Sequence, residues 1–196
     1  GEGEDGFSSG IFSSVNEKAE GDAGGIEIAT GNLTLTNGGQ LDASTFGQGN
    51  AGAIKVNTTD TISADGISQS GFSSGIFSTV NEKAVGSAGG VEIAASNFTL
   101  TNGGVINAST YGQGNAGAIK LAAGIISVDG TSQGGSGSGI FSTVVGTAVG
   151  NSEGIEISAA DSIFIDGKGT VQVGIFTEVE DAAKGNAGEI KINTNN

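Results

Sequence analysis

A parallel β-solenoid with three short strands per coil is the fold class this sequence predicts, and three observations predict it. One eight-residue phrase occurs six times: GDAGGIEI from Gly21, GNAGAIKV from Gly49, GSAGGVEI from Gly86, GNAGAIKL from Gly114, GNSEGIEI from Gly150 and GNAGEIKI from Gly185. Fixed-period self-similarity of this kind is the signature of repeat architectures. Between the phrases, apolar and polar residues alternate at period two, the mark of half-buried strands. Asn-Gly or Asp-Gly then follows the middle strand of each complete coil, and such dipeptides supply tight bends.

The elements follow in order. GFSSGIFSSVNEKAEG from Gly6 returns as GFSSGIFSTVNEKAVG from Gly71, a shift of 65 residues. Inside that block the phrase recurs at intervals of 28 and 37, so the unit is one coil and two coil types alternate. The first type reads as the strands GIEIA, NLTLT and QLDAST (Gly25 to Thr45), the second as AIKV, TISAD and GIFSTV (Ala53 to Val80). The turn positions are Asn37, Asp65, Asn102, Asp129 and Asp166, each followed by glycine. The chain therefore reads as a single solenoid segment, 1–196, of about five to six coils. Its repeat blocks are 6–20 (partial), 21–85, 86–149 and 150–196.

Stacking such coils about 4.8 Å apart places equivalent residues above one another. Ile26, Ile54, Val91, Ile119, Ile155 and Ile190 form an inward column; Glu27, Lys55, Glu92, Lys120, Glu156 and Lys191 form an outward one in which the charge alternates. Opposite charges on neighbouring strands attract and like charges repel, so this ladder favours the one-coil register.

Composition narrows the function classes. Seven lysines, no arginine and 21 acidic residues give a net charge of −14. Nucleic-acid binding requires clustered basic residues, as does attraction to an anionic membrane surface; neither partner is expected. No apolar run reaches the roughly 18 residues of a membrane-spanning helix. The chain lacks Cys and His, which removes disulfides, thiolate metal sites and the commonest general base. The absence of methionine, position 1 included, reads as a piece of something longer.

Phrases such as LTLTNGGxIxASTxGQGNAGAIK and DGxSxxxxxSGIFSTV resemble the repeat region of filamentous-haemagglutinin-like exoproteins of the two-partner secretion family, cyanobacterial type. The likeness covers essentially the whole chain. It implies a right-handed parallel β-helix, export through an outer-membrane partner, and adhesive or structural work at the cell surface. The family's secretion domain carries an Asn-Pro signature, and this chain has no proline; the resemblance is to the shaft, and no ligand carries over.

Parallel β-helices also include pectin-cleaving enzymes, which use an arginine or lysine base or clustered Asp carboxylates. Here Lys55, Lys120 and Lys191 recur at equivalent positions, as do Asp65, Asp129 and Asp166, where a catalytic group should be unique. No enzymatic activity and no cofactor are expected. The carboxylates at Glu2 to Asp5 and at Glu178, Glu180 and Asp181 lack the GGxGxD and EF-hand patterns of calcium sites, so solvated acidic turns are expected there. Phe12, Phe77, Phe141 and Phe176 each follow Gly-Ile in the third strand. Strict alternation turns them outward as a contact column, whereas a bulge at the glycine tucks them in; the sequence leaves both open. The expected function is a rod segment of a secreted adhesin or fibre, continuing into a longer chain or stacking end to end. The alternative is a carbohydrate-binding face carrying the Phe column.

Overall fold

The computed structural model describes residues 8–130, 135–167 and 172–194. Among them there is no helix, and every ladder between named strands is parallel. The first level holds β1 (Gly10–Phe12). A first full turn holds β2 (Ile26–Thr30), β3 (Leu33–Thr36) and β4 (Gln40–Asp42), and a second holds β5 (Ile54–Thr58), β6 (Thr61–Asp65) and β7 (Gly75–Phe77). Three more turns follow: β8 (Val91–Thr101) with β9 (Val105–Asn107), β10 (Ile119–Asp129) with β11 (Gly139–Phe141), and β12 (Ile155–Asp166) with β13 (Gly174–Phe176). β14 (Ile190–Thr194) opens the next.

One sheet runs β1-β4-β7-β9-β11-β13 and the other β14-β12-β10-β8-β5-β2, with β3 and β6 joining the second. The predicted first and second strands are thus separate in the first two turns and merge into one long strand in the next three. The junction carries the irregularity: Ala123 pairs with Ala159 but Ile125 pairs with Ser162, so β12 accommodates one extra residue there. Longer turns put most of their extra length between the second and third strands, where Gly66 to Ser74 replaces Asn37 to Gly39.

The core is a set of columns. Leu33, Ile62, Phe98, Ile126 and Ile163 lie in register, and the middle three are essentially inaccessible. Leu35, Ala64, Leu100 and Val128 form the next inward column, and Leu41, Ile76, Ile106 and Ile140 line the opposite sheet. Burying such side chains stabilises by about 1.5–3 kcal/mol each, and each turn packs on its two neighbours, as in other solenoids.

A polar seam runs beside this core. Ser44 Oγ accepts from Thr79 Oγ1 at 2.9 Å, and Ser109 and Thr143 hydroxyls pair at 2.9 Å. Two hydroxyls are different: Thr45 and Thr110 are fully buried and their Oγ1 atoms have no partner. They occupy the bridge column Val15, Thr45, Val80, Thr110, Val144, Val179, where valine is the alternative. An unpartnered buried hydroxyl is costly. Thr110→Val, the same shape without the hydroxyl, should therefore raise unfolding stability by about 1 kcal/mol; an unchanged or lower denaturant midpoint would contradict this.

Candidate functional site: the outer columns

Among the described residues repetition organises the surface, so the candidate site is a set of outward columns. The charged one is in register at every step: Glu27 with Lys55, Lys55 with Glu92, Glu92 with Lys120, Lys120 with Glu156, and Glu156 with Lys191. All six are exposed while Ile26, Ile54, Val91, Ile119 and Ile155 beneath them are buried. Lys55 Nζ lies 3.4 Å from Glu92 Oε1. Open grooves of 270 and 170 Å³ flank the column near Lys120, floored by the backbone around Gly90 and Gly154.

Lys120→Glu would place an acid between Glu92 and Glu156. We expect a loss on the order of 1 kcal/mol, with Lys120→Gln intermediate and both differences shrinking in high salt, since exposed pairs are weak and screened. Equal denaturant midpoints for the Gln and Glu variants would contradict a register role for the charge.

The third-strand column reads Phe12, Asp42, Phe77, Asn107, Phe141, Phe176. The isoleucines before Phe77 and Phe141 are buried, and the phenylalanines point outward and are partly covered. Phe12, at the first level, is 51% exposed. The question the sequence left open is therefore answered by alternation without a bulge. Phe141 and Phe176 stack with ring centroids 5.1 Å apart, and the Phe141 ring lies against Gly139, where a side chain would meet it. On the alternate turns Asp42 and Asn107 accept from the amides of Ser44 and Ser109 at 2.8 and 2.9 Å, and Asn107 donates to the Tyr111 hydroxyl at 3.1 Å.

The turn positions need correction. Asn37 and Asn102 sit in the bend with φ of 51° each, followed by Gly38 and Gly103 at 80° and 89°. Asp65, Asp129 and Asp166 are instead the last residues of their strands, in register with Thr36 and Thr101. In these turns the positive φ falls on the glycine, as at Gly66 (78°) and Gly130 (73°). Asn tolerates the left-handed region that Asp, still held in the ladder, does not need to enter. At its strand end Asp65 Oδ1 accepts from Thr101 Oγ1 at 2.6 Å and Asn102 Nδ2 at 2.8 Å.

A further column was missed from sequence. The residue after the first glycine of the repeated phrase is Asp22, Asn50, Ser87, Asn115, Asn151 or Asn186, and the side-chain oxygen of each of the first five accepts the backbone amide of its equivalent one turn on, at 2.7–3.2 Å. The signal was present, since only Asp, Asn and Ser occur there.

Burial raises the Glu180 carboxyl above its ordinary range, and the charges of Glu178 and Asp181 push it the same way. Its contribution to stability is thus full in acid and lost as pH rises through that raised value. Among the described residues no three acidic, His or Cys side chains gather as a metal site; Glu2 to Asp5 lie outside those residues. No helix there is long and apolar enough to cross a membrane. No family model, curated protein or solved structure matches the chain.

Proposed function

We propose that the chain is a rod segment of an extracellular adhesin or fibre, of the filamentous-haemagglutinin-like kind that its repeats resemble. The observation that carries this reading is the turn-on-turn parallel stacking of both sheets over six levels. A stack so built gains about 4.8 Å of length per turn without a cofactor. The net charge of −14 keeps such a rod soluble and repels polyanions. End-to-end continuation, within one polypeptide or between copies, belongs to the same proposal: the ladder level of Lys191 would meet a Glu level such as that of Glu27.

The carbohydrate-binding alternative draws on the outward Phe column. It is weakened by the stacking of Phe141 on Phe176, which uses one face of each ring. Immunogold electron microscopy of the source cells tests the proposal, with label expected along thin surface projections; label confined to the cell interior would overturn it. A glycan array on the purified chain tests the alternative, which requires binding that Phe77→Ala and Phe141→Ala abolish.

A further inference from the structure

We propose that Asn37-Gly38 and Asn102-Gly103 are latent deamidation sites that the following turn of the solenoid holds shut. Asn-Gly is the dipeptide most open to this chemistry because glycine leaves the attacking nitrogen unshielded. The glycine amide nitrogen, losing its proton, bonds to the asparagine Cγ, and the side-chain nitrogen departs as ammonia. The resulting succinimide is opened by water at either carbonyl, giving aspartate or isoaspartate. Water is the sole co-reactant, and no redox change occurs.

Both asparagines are exposed, so solvent reaches them. Both glycines are buried, and their amides are already engaged by the next turn. Gly38 N donates to Ser74 Oγ at 2.9 Å and Gly103 N to Ser138 Oγ at 3.0 Å. Each serine is inaccessible to solvent and its hydroxyl in turn donates to a backbone carbonyl, Ser74 to Asp65 O at 2.8 Å and Ser138 to Asp129 O at 2.9 Å. The nucleophile is thus fixed as a hydrogen-bond donor in a dry pocket, the arrangement opposite to the deprotonated, mobile nitrogen that ring closure needs. The turn geometry adds to this, because Asn at φ 51° followed by Gly at 80–89° is held by ladder bonds on both sides.

The two sites differ in one respect. Asn102 Nδ2, the leaving group, is also bonded to Asp65 Oδ1, so Asn102 is gripped from the preceding turn as well as the following one. Because each lock is supplied by a neighbouring turn, isoaspartate at either position records that turn's opening. Once formed, it inserts an extra backbone carbon into the bend and prevents the lock from closing again. For a rod this couples chemical lifetime to mechanical integrity.

The test follows deamidation at both positions by peptide mass spectrometry after incubation at mildly alkaline pH. The chains compared are the folded wild type, the wild type unfolded in urea, Ser74→Ala and Ser138→Ala. Folded wild type should deamidate at both sites far more slowly than the unfolded chain. Ser74→Ala should accelerate Asn37 roughly tenfold, the factor corresponding to about 1.4 kcal/mol of easier opening, and leave Asn102 unchanged. Ser138→Ala should do the reverse, with a smaller effect because Asp65 still holds Asn102. Equal rates in folded and unfolded wild type would overturn the proposal whether or not the variants fold. So would folded variants whose target asparagine reacts at the wild-type rate.

Discussion

Gly114→Ala is expected to cost on the order of 3 kcal/mol or more, because two penalties coincide at one position. Gly114 has φ +132°, a region essentially closed to side-chain-bearing residues. A Cβ there would also collide with the carbonyl oxygen of Gly86 in the turn below. The collision partner is backbone that itself bonds the next turn, through Gly86 N to Gln113 O and Ala88 N to Asn115 O, both at 2.9 Å, so it cannot move without opening the stack. The first glycine of the repeated phrase is therefore a spacing device. Gly31→Ala is the matched control: nothing lies within 4 Å of a Cβ at Gly31, and a shift of no more than about 0.5 kcal/mol is expected. Urea midpoints for the pair check this, and similar midpoints would refute it.

Phe98→Ala should lose about 3–5 kcal/mol. Phe98 is wholly buried between Ile62 and Ile126, at the third of five full turns. In a solenoid that loss falls on two interfaces at once, since each turn is supported by its neighbours. Unfolding of the variant should therefore broaden or split into two steps as the halves of the rod decouple. Phe77→Ala, which removes an outward ring of the same size, should cost much less and leave a single transition. A sharp two-state curve for Phe98→Ala with a midpoint near wild type would contradict the columnar core.

Most of the architecture was legible because the chain repeats itself. Once GNAGAIKV and GSAGGVEI are superposed, the positions of Lys55 and Glu92 follow from strand alternation, and the structure places them in one register. Legibility failed where two coil types solve one problem differently. Aligning Asn37-Gly38 with Asp65-Gly66 by their glycines shifts the aspartate by one residue, because the Asn bend takes two left-handed residues and the Asp bend takes one. The merging of the first two strands in β8, β10 and β12 was also unreadable, since it depends on ladder bonds at the corner rather than on composition. Buried Ser74 and Ser138 lie in the serine- and glycine-rich runs GFSSG and SGSG, whose composition carries no mark of burial. Only the neighbouring turn shows that their hydroxyls close the Asn-Gly bends.

The central claim is that the turns stack in one-turn register over the length of the chain. The absence of native cysteine makes its direct measurement straightforward: spin labels on Glu27→Cys and Lys191→Cys, read by double electron–electron resonance. These residues lie on the same outward column, five turns apart. The stack predicts a narrow distance distribution centred near 24 Å, lost on unfolding in urea. A broad distribution at much longer distances under native conditions would contradict it.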